Sequence, residues 1–296
     1  MELLAYLIAV IIGISLGLIG GGGSILTVPV LVYLLNIDPL IATTYSLFIV
    51  GVTSLVGGAK AYSKKLIDFR AVALFGIPSI LSIFLARHFL LPAIPHYLFQ
   101  IGSIDITKDV LLMVVFAMLM FAASFSMITK EPVSIRENVL TIAPKTRIRD
   151  QAADKTDAGF TDSDASDYLE QSQKHEPDLK LVLPGLLIGL VTGLLGAGGG
   201  FLIIPTLVLI IRMPMKIAVG TSLLIVAINS LFGFIFSLNQ QHFNWPLLLT
   251  FTSLAIAGII IGSRLSERIS SDSLKKGFGW SIMGMAVYIL FKELWL

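Results

Sequence analysis

Four consecutive glycines, Gly20 to Gly23, stand inside the apolar tract GLIGGGGSILTVP at residues 17–29, and a second version, GLLGAGGGFLIIP, occupies residues 193–205. Consecutive glycines are poor helix formers and readily take the positive φ of a tight break, so each cluster should end one helix and start another. Both breaks fall where the chain is most hydrophobic. In hydrocarbon an unpaired peptide group costs several kcal/mol, so irregular backbone at that depth must be buried in protein or line a wet cavity. A chain carrying two such interruptions is confined to a small set of membrane architectures.

The remaining sequence sets the scale. The 296 residues are 55% hydrophobic and only 14% charged, a bilayer composition. Apolar runs at 3–19, 40–59, 69–91, 110–128, 216–238, 246–263 and 277–295 approach or reach the roughly 17–25 residues that cross about 30 Å of hydrocarbon as a helix. Shorter runs at 24–35, 181–195 and 201–211 flank the glycines and suit tilted or incomplete helices. The fold class expected is therefore an all-α integral membrane protein with about 8–10 membrane segments. The opening Met1-Glu-Leu-Leu lacks a basic region before its apolar run, so the first helix is expected to be retained. The chain has no cysteine, which excludes disulfides and thiolate chemistry. Residues 130–180 hold 11 of the 19 acidic and 8 of the 21 basic residues, and read as a polar, disordered linker between a first membrane repeat, 1–129, and a second, 181–296.

Laying residue n over residue n+176 aligns the two halves without a gap. Gly13, Gly17, Gly20, Gly22, Gly23 and Pro29 fall on Gly189, Gly193, Gly196, Gly198, Gly199 and Pro205, and Ser46, Ser54 and Gly57 fall on Ser222, Ser230 and Gly233. Proline and serine matching in one register marks an internal repeat, two homologous bundles joined by a polar strap. Basic residues swap sides between the copies. Lys60, Lys64, Lys65 and Arg70 crowd one loop whose counterpart at 239–245 has none, while Arg264, Arg268, Lys275 and Lys276 sit where 92–109 offers only Lys108. Arg212 and Lys216 likewise replace Asn36 and Leu40. Since lysine and arginine favour cytoplasmic loops, the swap predicts inverted-topology repeats, with the linker cytoplasmic and both termini outside. That parity needs each glycine-flanked pair to cross twice or to dip in and return. Arg87 and His88 would then lie near the outer end of their helix and are expected to snorkel to headgroups.

Gly13 with Gly17, and Gly189 with Gly193, have the small-x-x-x-small spacing of close helix contacts. For Gly20, Gly21, Gly22 and Gly23, and for Gly196, Gly198, Gly199 and Gly200, two readings stand: a tight turn, or an anion cradle built from approachable N–H groups at the positive end of the next helix. No Lys-Ser/Thr follows either cluster, so a nucleotide-binding loop is rejected. Ser24, Ser46, Thr221, Ser222 and Asn229 add side-chain donors nearby. Thr43, Thr44, Thr53, Ser54 and Ser230 recur in the same helices, where hydroxyls commonly bond back to their own backbone. Asn229 has no such cheap local solution and needs a neighbour, water or substrate. No carboxylate lies well inside any apolar run, so a metal or an acidic proton relay is not indicated, whereas a neutral, donor-rich site suits a small oxyanion. No His-Glu-x-x-His or Gly-x-Ser-x-Gly appears, which argues against an intramembrane enzyme.

The pattern Gly-x-x-Gly-Gly-Gly-Gly-Ser-x-x-x-x-Pro, its second copy Gly-Ala-Gly-Gly-Gly-Phe-x-x-x-Pro, and Ala218-Val-Gly-Thr-Ser-Leu223 resemble the sulfite exporter TauE/SafE family of bacterial inner-membrane transporters. The resemblance covers both repeats and implies a secondary transporter exporting a small sulfur-containing anion, such as sulfite or an organosulfonate, by alternating access, without cofactor, metal or catalytic residue. It departs at Thr44 and Tyr45, which stand where the second copy has Gly220 and Thr221. The partners implied are the anion and the lipid bilayer, not nucleic acid, with a homodimer left open. The competing reading is a non-transporting membrane scaffold whose linker recruits a partner.

Overall fold

The structure, a computed structural model, describes residues 2–95, 97–101, 104–129, 181–211, 213–238, 243–265 and 271–295. The linker at 130–180, Arg212, Arg268 and most of the 239–245 loop lie outside the described residues. In the first repeat, α1 (Glu2–Ile19) passes through a 3-10 segment (Gly20–Leu26) into α2 (Thr27–Leu35), followed by α3 (Pro39–Ser63) and α4 (Phe69–Leu85). A π-helical turn (Ala86–Leu90) and a last helical turn (Leu91–Ala93) extend α4. A short antiparallel hairpin, β1 (Tyr97–Ile101) and β2 (Ile104–Thr107), then leads to α5 (Lys108–Thr129). The second repeat is α6 (Val182–Leu195), α7 (Gly200–Ile210), α8 (Met215–Ile235), α9 (Trp245–Leu265) and α10 (Ser271–Trp295).

Helix ends follow local chemistry. Asp38 caps α3 by accepting from the N–H groups of Leu40 and Ile41 at 2.9 and 3.4 Å, with Pro39 in the first turn. Asp68 caps α4 by accepting from Arg70 and Ala71 at 3.0 and 3.1 Å. Both carboxylates thus serve the ends of spans. Among the described residues, five helices are long and apolar enough to cross a bilayer: α3, α4 with its extension, α5, α8 and α9. By contrast α2, with 9 residues, and α7, with 11, are only about 14 and 16 Å long, about half a hydrocarbon thickness. Leu7, Ile77, Leu81, Leu183 and Leu187 are all more than half exposed, as lipid-facing side chains of a multi-pass membrane protein are.

Packing departs from two separate bundles on a strap. Helix α1 lies along α9, in the other repeat: Gly13 meets Ala255 and Gly258, and Gly17 meets Ile259 and Gly262. Helix α6 lies along α4, with Gly189 on Ser79 and Gly193 on Ile83 and Ala86. These are one set of contacts shifted by the repeat offset, 13 with 255 matching 189 with 79, and 17 with 259 matching 193 with 83. Each repeat therefore lends its first helix to the other, and the halves interlock. Both small-x-x-x-small pairs do close-contact work, because a Cβ on Gly13 would lie 2.1 Å from the carbonyl oxygen of Ala255. At the centre, the equivalent helices α3 and α8 pack antiparallel: Gly233 meets Leu47, Gly51 meets Leu231 and Gly57 meets Leu223.

These contacts separate glycines that resemble one another in sequence. A Cβ on Gly262 would sit 2.2 Å from the carbonyl oxygen of Ile14, whereas one on Gly76 would find nothing within 4 Å. Gly262→Ala is expected to destabilise by about 1–3 kcal/mol through overpacking, and Gly76→Ala to stabilise by roughly 0.5–1 kcal/mol through helix propensity. Thermal unfolding of the two variants in detergent, followed by tryptophan fluorescence, should move them in opposite directions from the parent.

Candidate functional site

The two glycine interruptions touch. The backbone of Gly21 lies so close to Gly200 that a Cβ on Gly200 would come within 2.3 Å of the Gly21 Cα and carbonyl oxygen. Adding the repeat offset turns positions 21 and 24 into 197 and 200, so the equivalent contact joins Ser24 to Ala197. It is present as well: the Ser24 hydroxyl reaches the carbonyl oxygens of Ala197 at 2.5 Å and Gly21 at 2.8 Å. Ser24 is thus a strut between the breaks, its single hydrogen shared by two carbonyls.

The copies interrupt the chain differently. Gly196, Gly198 and Gly199 adopt φ of 67°, 69° and 69°, left-handed values that side-chain-bearing residues rarely take, and they turn α6 sharply into α7. In the first copy Gly20 turns left-handed, φ 76°, and Gly21, Gly22 and Gly23 continue as a 3-10 segment folded back on α1, with Gly23 against the backbone of Ser15 and Leu16. Neither α2 nor α7 has a side-chain cap at its start. The junction sits between the antiparallel core helices. Gly20 faces Val219 and Ser222 of α8, Gly196 faces Thr43 of α3, and Gly198 meets Val50, Val226 and Ser230.

The polar side chains divide by fate. Thr43 and Thr44 donate back to the Leu40 carbonyl, Thr53 to that of Ile49, and Ser222 to that of Val219, the local solution expected of hydroxyls in apolar helices. Thr221 is drawn away from the junction: its hydroxyl oxygen accepts from the Asp68 N–H at 3.0 Å and so latches the start of α4 to α8. Tyr45, its counterpart, accepts from the Asn244 N–H at 2.6 Å and latches the start of α9 to α3. The sequence departure at Tyr45 is thus a larger version of the same latch. Asn229 donates to Ser79 on α4 at 2.7 Å, while its Oδ1 has no partner. The hydroxyls of Thr27, Ser46, Ser54, Thr192 and Ser230 are also fully buried and unpartnered. An unsatisfied buried polar group costs about 1–3 kcal/mol, and four of these residues, Ser46, Ser54, Asn229 and Ser230, lie on the neighbouring helices α3 and α8.

Arg87 overturns its sequence reading. Instead of snorkelling it is 1% exposed, and its guanidinium donates to Thr44 (3.0 Å), Thr43 (3.3 Å) and Ser237 (3.3 Å). His88 beside it is exposed and stacks on Phe84. The inward turn follows from Pro92, which has no N–H to give to the preceding turn; the Leu91 N–H bonds instead to Ala86, five residues back, widening the helix where Arg87 stands. The signal in sequence was an arginine inside the apolar run 69–91, five residues before Pro92, and an ionisable residue within a membrane helix is a functional-site indication by default.

The sulfite exporter TauE/SafE family matches residues 5–289, and the chain belongs to that family. Among its relatives are a probable membrane transporter protein of Xylella fastidiosa (strain Temecula1), 27% identical over 293 residues that cover 96% of this chain and 92% of the relative. Another is the probable membrane transporter protein YunE of Bacillus subtilis (strain 168), 24% identical over 282 residues that cover 92% of each. No solved structure matches. The protein is therefore a multi-pass membrane transporter by family, and the names of the family and of these relatives indicate a transporter rather than an enzyme.

If Thr221 and Tyr45 are latches, Thr221→Val and Tyr45→Phe should each lower stability by about 0.5–1.5 kcal/mol, the worth of one hydrogen bond. Thermal unfolding in detergent measures both variants against the parent.

Proposed function

We propose that this chain is a secondary transporter that exports a small sulfur-containing anion, sulfite or an organosulfonate, across the inner membrane by alternating access around the glycine junction. The observation that carries this reading is the direct contact of Gly21 with Gly200 between α3 and α8, in helices holding buried hydroxyls without protein partners. Interrupted helices meeting at a repeat interface are how many transporters build a midplane site. Side-chain-free backbone lets a guest approach main-chain donors, and Ser46 and Ser230, whose hydroxyls have no protein partner, add side-chain donors. The description of the family supplies the sulfur anion.

Inverted topology fits the antiparallel packing of α3 on α8, since equivalent helices run in opposite senses only when one repeat is upside down relative to the other. The basic loop around Lys60 to Arg70 supports an orientation with the linker in the cytoplasm and both termini outside. Interlocking changes which parts move. Rocking one repeat against the other would tear α1 from α9 and α6 from α4, so the moving bodies are the exchanged pairs, α1 with α9 and α4 with α6, hinged at the glycines. The membrane potential alone drives an anion out of a cell negative inside, at about 2.3 kcal/mol per charge per 100 mV, and no coupling ion is required.

Proteoliposomes loaded with sulfite or sulfoacetate test the reading. The wild type should release both; Gly22→Val and Gly199→Val should abolish release, since Gly199 has positive φ and a Cβ there would meet the Thr192 hydroxyl at 2.2 Å. Deleting 130–180 should leave flux intact. Flux that survives both glycine substitutions, or vanishes with the linker alone, would sink the proposal in favour of a scaffold.

A further inference from the structure

Arg87 is a buried cation without a counterion. Among the described residues its hydrogen bonds go to three hydroxyls, and no carboxylate pairs with it. A buried charge is ordinarily tolerated only when paired, because desolvating it costs several kcal/mol that neutral acceptors return only in part. The hydroxyls are also committed: Thr43 and Thr44 donate to Leu40, and Ser237 donates to Gly233. Their lone pairs aim the guanidinium, and they have no hydrogen left for a ligand. Of the five N–H groups of an arginine, three are used by these bonds, Nη1 giving both of its hydrogens. The two that remain are one on Nη2 and the Nε–H, which is buried and unpartnered. Neighbouring N–H groups on a planar guanidinium are a fork that matches two oxygens of one anionic group.

We infer that Arg87, aimed by Thr43, Thr44 and Ser237, is an oxyanion-binding site that takes a sulfite or sulfonate group through two parallel hydrogen bonds. This rests on the transporter reading above and adds to the neutral glycine junction the positive charge that it lacks. The site adjoins the junction, since Gly196 packs directly on Thr43, one of the residues that hold the guanidinium, and Gly193 packs on Ala86. An anion leaving the junction on that side meets Arg87 next. The second repeat has its own version with the charge on the other element: the position equivalent to Arg87 is Ser263, which receives the Lys60 ammonium at 2.9 Å. The two positions lie toward opposite ends of the helices, and under the topology proposed above Arg87 is the outer one.

Purified protein in detergent, compared in sodium sulfite, sodium sulfoacetate and sodium chloride at equal ionic strength, gives the test by thermal shift. Wild type should be stabilised by the two sulfur anions over chloride. Arg87→Met should lose that shift while melting no lower than wild type in chloride, since it removes an uncompensated charge; Arg87→Lys should keep a reduced shift, because an ammonium cannot offer the fork. A shift that persists undiminished in Arg87→Met, or no shift in wild type, overturns the inference. So does an Arg87→Met protein that melts lower in chloride and keeps its anion response, the behaviour of a purely structural arginine. Flux in proteoliposomes separates this from the transporter reading. Wild-type efflux with an Arg87-independent shift leaves the transporter standing and removes this site, while an Arg87-dependent shift without efflux keeps the site and removes the transporter.

Discussion

Hydrocarbon offers a peptide group no partner, and every unusual feature of this molecule is a response to that fact. A helix can stop inside a bilayer only if its loose ends are enclosed, and here each interruption encloses the other. Gly21 lies on Gly200 and Ser24 bonds to Ala197, so the most vulnerable backbone of each repeat is covered by the most vulnerable backbone of its twin. Only residues without side chains permit so close an approach, which is why glycine recurs on both sides of the contact.

Interlocking follows the same economy. A single repeat with a broken second helix would leave its first helix facing lipid along a stripe of small residues. Exchange turns those stripes into the contacts of α1 with α9 and α6 with α4, where Gly13, Gly17, Gly189 and Gly193 let backbones touch. Paired latches at Tyr45 and Thr221 tie each core helix to the start of the next span in the opposite repeat. In the alternating-access mechanism proposed above, the units of motion would therefore cross the repeat boundary, with the glycine junction as their common hinge.

The two polar zones of the core have different characters. The junction is neutral and made of main chain and unpartnered hydroxyls, while the flank beyond Gly196 holds a guanidinium at 1% exposure. In the transport reading proposed above, the neutral donors would select an oxyanion by geometry and the buried charge would offset its desolvation.

Periodicity and composition determined the spans. Apolar runs such as 40–59 and 246–263 became α3 and α9 within a few residues, and a constant offset of 176 announced the repeat, all because these features depend on neighbours along the chain. The glycine clusters were legible as breaks for the same reason. What they would touch was not. That Gly21 meets Gly200, that Thr221 leaves the junction to hold Asp68, and that Arg87 turns inward to Thr43, Thr44 and Ser237 depend on contacts between residues 43 to 179 positions apart. Such contacts are set by how helices pack across the repeat interface, and a side chain's partner in three dimensions leaves no trace in its local sequence.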